Sequence, residues 1–309
     1  MPRRLGRVVV LTARRGLRTN ATGSAIDRLL GGRTLGVFYQ PVLAHEVGAD
    51  GVGRWHVAGA EALVRAGDGG TVLRPAQFLP EIERAGLMGP LFQFVLAEAL
   101  SAMLEWQRDY GLRLALGVNA HTEALLDDGL PGLLDGLLGA AGVEPSRLQL
   151  ELTGHAPLAD LGRAAANLQR LRRVGVRAAL DDFGAGLSTA SRLAWFECDE
   201  LKIDRALVQG LEDSDDQRSV VESLVALAHA RGMTACAEGV ETLAALRLLA
   251  HFGCDRAQGF VIARPVPAAS FVGQVREWQA RALFTGVAEE RLSGAPGTDD
   301  VDQDRRALA

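Results

Sequence analysis

The chain is poor in cysteine, has no long apolar run and carries no surplus of basic residues. Its three cysteines, Cys198, Cys236 and Cys254, are odd in number and lack the spacing of a metal site. They argue against a disulfide framework and read as reduced thiols in or near a core. No apolar stretch approaches the ~18 residues that a membrane helix needs, so no membrane span is expected. The basic start (Arg3, Arg4, Arg7) leads only into Val8-Val9-Val10-Leu11, too short for the apolar heart of a signal peptide. Lys and Arg total 33 against 38 Asp and Glu, a net charge of −5. A general nucleic-acid binder would be basic, so no nucleic-acid polymer is expected as partner. Together these absences predict a cytoplasmic protein.

What is present is an ordinary globular balance. The 309 residues are 48% apolar and 23% charged, enough to bury a sizeable core within one large domain or two small ones. Residues 1–33, rich in Arg and Gly, read as a basic, flexible or loosely docked arm. Residues 286–309, ending in an acidic run, read as a disordered tail. Between them, residues 34–285 alternate. Short apolar runs predict strands at Val37–Val42, Trp55–Val64, Leu112–Val118, Leu148–Leu152, Val176–Leu180, Leu201–Ile203, Thr234–Ala237 and Ala257–Ile262. Apolar spacing of three and four predicts helices such as Leu91–Trp106, Leu161–Val174, Val220–Ala230 and Leu243–Phe252. Glycines at 111, 142, 175, 232 and 253 mark helix ends. Repeated strand–helix units imply a parallel sheet, and about eight strands favour closure into a TIM-like α/β barrel, with chemistry at the C-terminal strand ends.

Five runs put a polar ligand at what reads as that rim: Glu61, Asn119, Glu151, Asp181-Asp182 and Glu238. Carboxylate and amide oxygens suit a hard cation such as Mg²⁺ or Mn²⁺. Adjacent carboxylates repel unless a cation shares them, and Gly184 and Gly186 would let the loop turn both acids inward. Each residue alone has a plainer reading: a helix-capping pair for Asp181-Asp182, a strand-ending turn for Asn119, a helix N-cap neighbour for Glu151 or Glu238. Five on one rim weaken it. Glu61 lies in an apolar stretch, where a buried carboxylate is costly unless paired or metal-bound. Lys202 either projects into this acidic pocket, where it could orient or deprotonate a water, or pairs with Asp204 at the surface. Arg65 offers a planar fork for phosphate, and Gln258 and Arg264 lie near the last strand. Metals with Arg and Lys suit phosphodiester hydrolysis.

The series Tyr39-Gln40-Pro41-Val42, Glu61-Ala62-Leu63, Arg65, Phe78 to Gly86, Asn119, Glu151-Leu152-Thr153, Asp181-Asp182-Phe183-Gly184, Lys202-Ile203-Asp204, Glu238-Gly239-Val240-Glu241 and Gln258-Gly259-Phe260 resembles, in order, the EAL-domain family of cyclic di-GMP phosphodiesterases. The match runs from about Phe38 to Pro267. The resemblance implies a (β/α)₈ barrel whose first strand is antiparallel to the others, and hydrolysis of cyclic di-GMP to linear pGpG. It implies two ions: Glu61, Asn119, Glu151 and Asp181 would hold the first, and Asp181, Asp182 and Glu238 the second. Lys202 would assist the attacking water, with Glu61, Asp182 and Glu238 sharing the catalytic work. Gln40, Arg65 and Gln258 would meet substrate or water, and Glu241 would support the site. A homodimer is a further implication.

The sequence departs from the family pattern in places. Gly154 replaces the second Glu of the usual Glu-Leu-Thr-Glu, which the resemblance links to the loop after Asp181-Asp182; glycine there implies reduced turnover. Leu187, Ala190, Glu197 and Ala66 also replace usual residues. About seven extra residues between Gln40 and Glu61 predict a longer hairpin loop around Gly48 to Gly53. The alternative reading is a weak or inactive domain that serves as a cyclic di-GMP receptor. An enolase-like metal enzyme would explain the acids but not the ordered motifs.

Overall fold

The computed structural model describes residues 33–68, 71–153, 160–184 and 189–285, with positions 26 and 31. Strands β1 (Thr34–Val47) and β2 (Gly53–Asp68) form a long antiparallel hairpin, and β3 (Thr71–Leu73) extends the edge of β2. The extra length lies mostly in the strands rather than in a loop. Leu43 to Val47 pair with Val57 to Gly53, and the rings of His45 and Trp55 pack 4.9 Å apart. Only 48–52 turn, closed by Gly48 and Val52 and by Gly51 at φ 74°, a conformation glycine adopts without steric cost.

Strands β4 (Ala115–His121), β5 (Leu148–Thr153), β6 (Arg177–Phe183), β7 (Glu200–Ile203), β8 (Thr234–Ala237) and β9 (Arg256–Ala257) then pair in parallel, one after the next, beginning from β2. β1 closes the ring by pairing antiparallel with both β2 and β9. The result is the expected barrel with its first strand reversed. Several strand boundaries differ from the sequence reading: β1 and β2 run well beyond Val37–Val42 and Trp55–Val64, and β6 ends at Phe183 rather than Leu180. β4 begins three residues later than Leu112, after the glycine that ends the preceding helix. The last barrel strand is only Arg256–Ala257, because 259–262 turn away over Val240. A short β10 (Val266–Pro267) pairs back on β1.

The long helix is α2 (Met88–Tyr110), preceded by α1 (Leu79–Arg84). It buries Leu91, Phe92, Val95, Leu96, Ala99, Leu100, Met103 and Trp106, the three-and-four spacing that turns one stripe toward the sheet. Trp106 stacks on Phe271 of the C-terminal helix α9 (Ala268–Thr285) at 4.3 Å and meets the edge of Tyr39 on β1 at 4.9 Å. These rings lock the reversed strand under both helices. The remaining helices are α3 (Leu130–Ala141), α4 (Leu161–Val174), α5 (Thr189–Trp195), α6 (Arg205–Val208), α7 (Asp215–Ala230) and α8 (Leu243–His251). The five glycines singled out as helix stops all have positive φ. All three cysteines are free and buried, as expected. Ile26 is buried against Ala66, Phe78, Ile82 and Leu91; the rest of the basic arm, apart from positions 31 and 33, and the acidic tail lie outside the described residues.

Candidate active site

Parallel pairing brings the C-terminal ends of β4 to β8 to one rim, and side-chain alternation decides which residues point inward. Asn119 stands level with Glu151, and Lys202 level with Cys236. On the other side of the barrel Gln40 faces Glu61 across the hairpin. Gly117, level with Glu61 on β4, makes room: a Cβ there would lie 2.0 Å from Oε1 of Glu151.

Lys202 is the hub. It is 1% exposed, and its ammonium lies 2.6 Å from Glu238, 2.7 Å from Glu151, 3.4 Å from Asp181 and 3.7 Å from Glu61. The reading of Lys202 as a surface residue paired with Asp204 is therefore wrong; Asp204 caps the next short helix through Ala206. Alternation along β7 points the lysine into the barrel, where only acids can hold it charged. Burial opposes the charge on Lys202, but Asp181, Glu151, Glu238 and Glu61 together hold its proton well above the ordinary lysine range. Burial pushes Glu151 well up, and Asp181 and Glu238 up as well, against the pull of Lys202. Glu61 is the exception. Burial raises it too, but Lys202 and the amides of Gln258 and Asn119 win and leave it below its usual range. Those amides donate to its two oxygens at 2.7 Å each.

Asp181 and Asp182 leave the strand pattern together. Asp182 has φ 54°, the one described non-glycine residue in the left-handed region, where β6 and β7 lose register between Leu180 and Phe183. The sequence reading assigned this turn to Gly184 and Gly186. Gly184 does adopt φ 101° and Gly186 is outside the described residues, but Asp182 itself takes the strained step. Non-glycine strain of this kind costs about 1–3 kcal/mol and gathers at functional sites. The turn leaves Asp182 exposed at its outer side but its carboxyl partly desolvated beside Asp181 and Asp204, and that desolvation together with Asp181 raises it to about 6.

The donor set fits a divalent cation. Carboxylate oxygens of Asp181, Asp182 and Glu238 lie within 4.8 Å of one another. Oδ1 of Asp181 is buried with no hydrogen bond, only the Lys202 ammonium at 3.4 Å. Four acids share one ammonium, and a buried surplus of negative charge must take up protons or cations. This trio is the set assigned from the sequence to the second ion. Of the set assigned to the first, Glu61, Glu151 and Asp181 surround Lys202, and Asn119 is tied to Glu61.

The other residues divide. Gln258 bridges Glu61 and Gln40, and Gln40 also donates to the carbonyl of Ala263, so both belong to the pocket. Arg65 is half-buried and donates to Val64 at 2.8 Å; burial lowers its hold on its proton, and Glu61 partly opposes that. Glu241 is exposed and held by Gln209 at 2.8 Å, outside the cluster of acids. Arg264 packs over the ring of Phe260 at 4.2 Å. Ala66 is buried, and Glu197 pairs at the surface with Arg172. Gly154 and Leu187 lie outside the described residues.

Sequence reasoning missed a second polar layer beneath Lys202. Glu200, 2% exposed, accepts from Gln149 at 2.7 Å and pairs with Arg256 at 3.2 Å. A small cavity between the layers is lined by Gln149, Glu151, Glu200, Lys202 and Arg256. The signal was legible: Glu200 and Lys202 are two residues apart on one strand and so share a face. Arg192, which reaches the end of β5, gave no such signal.

Residues 24–265 match the family model described as EAL domain. The chain is 32% identical over 244 residues to the bifunctional diguanylate cyclase/cyclic di-GMP phosphodiesterase MucR of Pseudomonas aeruginosa, covering 79% of this chain and 35% of that protein. It is 31% identical over 231 residues to the cyclic di-GMP phosphodiesterase PdeR of Escherichia coli, covering 74% and 35%. It also resembles the solved phosphodiesterase of MucR in complex with c-di-GMP, at 31% identity and TM-score 0.69, over 82% of this chain and 100% of that one. The chain spans only about a third of the length of the curated relatives it matches.

Proposed function

The chain belongs to the EAL-domain family, and from that premise we propose that it hydrolyses one phosphodiester bond of cyclic di-GMP to give linear pGpG. The observation that carries the proposal is the buried Lys202 ammonium set among Glu61, Glu151, Asp181 and Glu238 at the strand ends of the barrel.

In this reading two ions, Mg²⁺ or Mn²⁺, would complete the site, the first held by Glu61, Asn119, Glu151 and Asp181 and the second by Asp181, Asp182 and Glu238. When bound they supply charge for the phosphate and lower the pKa of water. The chain's own residues divide the rest. Lys202, within 3.7 Å of Glu61, Glu151, Asp181 and Glu238, orients the attacking water and offsets charge developing on the phosphate. Asp182, at the exposed end of the turn, helps to orient the attacking water; the water oxygen bonds to phosphorus and gives up its proton as the ribose 3′-oxygen leaves and takes one up. Gln40 and Gln258 fix the orientation of Glu61. Arg65 and Glu241 meet the substrate at the rim. The catalytic unit is 34–285 in this proposal, working as a cytoplasmic homodimer. Among the described residues no helix is long and apolar enough to cross a membrane.

The test is incubation with cyclic di-GMP and Mg²⁺ or Mn²⁺, following pGpG by chromatography. Product is expected with wild type and none with Glu61→Ala. Tight binding with no pGpG under either metal would overturn turnover and leave a cyclic di-GMP receptor. Full activity of Glu61→Ala would refute the ligand assignment.

A further inference from the structure

The helix that follows the Asp181-Asp182 turn is short. α5 spans Thr189–Trp195 and supplies one long cation toward the barrel. Arg192 Nη2 donates at 2.6 Å to the carbonyl of Leu152 on β5, forty residues earlier in the chain. That carbonyl belongs to the residue directly after Glu151, which itself holds Lys202 at 2.7 Å. The guanidinium also lies in the field of Asp181 and Asp182 on β6, and is partly buried there. One side chain therefore ties the end of the Glu151 strand to the helix beyond the two aspartates.

We infer that Arg192 is a positioning residue, a strut that sets the end of β5 against the Asp181-Asp182 turn and so fixes the spacing of the acids that hold the metal. The strut touches neither substrate nor reacting atoms; it acts through the Leu152 carbonyl. Its geometry fits that task. A planar fork on a long stem reaches across two strand ends and keeps its charge when partly buried. A bond from a charged donor to a carbonyl is among the stronger hydrogen bonds. Asp182 is held in the left-handed region, a conformation that persists only when its surroundings hold it. The next residue of α5 is anchored separately, by Arg231 donating to the Leu193 carbonyl at 3.2 Å. Loss of Arg192 should therefore loosen the site without releasing the helix.

The inference rests on the reading that these acids bind a divalent cation. The experiment compares wild type, Arg192→Met and Arg192→Lys by calorimetric titration with Mn²⁺, by thermal unfolding, and by kcat and KM for cyclic di-GMP. Arg192→Met is expected to bind Mn²⁺ about tenfold more weakly and to lose about tenfold or more in kcat, with KM nearly unchanged, on the scale seen for residues that orient metal ligands. Arg192→Lys, which can still donate to Leu152, should recover part of both. A purely structural role would lower the unfolding temperature and leave Mn²⁺ affinity and kcat at wild-type values; that result would overturn the inference. Wild type that binds no Mn²⁺ would remove the metal reading itself, and the inference with it.

Discussion

Replacing Lys202 with Met tests the electrostatic account of the site most directly. Methionine keeps much of the length and volume of the side chain and removes the one ammonium among four carboxylates, three of them buried and Glu238 partly so. Two of those pairs, to Glu238 at 2.6 Å and Glu151 at 2.7 Å, are direct. Removing one partner of a buried ion pair costs about 3–5 kcal/mol, because the remaining charge is left desolvated and unpaired. Several acids lose their partner here, yet they can also take up protons, so a loss of about 3–5 kcal/mol is expected rather than a multiple of it. The assay is urea unfolding in EDTA at pH 8 and at pH 5.5. Glu151, Asp181 and Glu238 already titrate high and rise further without the lysine. The deficit should therefore be full at pH 8, where the acids would have to be ionised, and smaller at pH 5.5, where they carry protons in the folded state. Added Mn²⁺ should recover stability at pH 8 by supplying the missing charge. Turnover should fall by about 10²-fold or more, the range seen on removing a preorganised group that stabilises developing charge. Equal midpoints for variant and wild type at pH 8 in EDTA would refute the idea that Lys202 holds the acids together.

Other outcomes follow from the same geometry. Gly117→Ala forces a methyl to within 2.0 Å of Glu151; overpacking of that kind costs about 1–3 kcal/mol, and turnover should fall with it, so wild-type unfolding and rate would contradict the placement of Glu151. In metal-free wild type Glu238 is raised to about 8. A group with a raised folded pKa stabilises fully below its unfolded value and loses that contribution as pH rises through the folded one, so stability in EDTA should decline between about pH 5 and pH 9. A rise over that interval would show that Glu238 is not held protonated. Gly154→Glu restores the residue usual at that position in the resembling family and should raise kcat; an unchanged rate would mean that the end of β5 is already held, as the Arg192 strut provides.

Much of the fold was legible because each signal is local. Apolar runs with glycine stops gave the strand–helix order, and the glycines do end helices in the left-handed conformation. The site's membership was legible because ligands at strand ends leave polar residues in otherwise apolar runs. Where reading stopped, the cause was pairing between distant strands. The run from Ala257 to Ile262 has the composition of a strand, but only Ala257 finds a partner strand, and the rest turns over Val240. Apolar composition says that a segment is buried, not which backbone it meets.

The sequence by itself determined that this chain would alternate strand and helix and carry a divalent-metal set of acids with one lysine, because residue type and spacing need no long-range information. Only the tertiary structure decided what those groups do to one another. Barrel closure brings Glu61, Glu151, Asp181 and Glu238, from four separate strands or strand ends, around one ammonium. It also inserts the Glu200 and Arg256 pair beneath it and carries Arg192 back to Leu152. Charge coupling falls off over a few ångströms, and only closure of the ring makes residues so far apart in sequence neighbours at that distance.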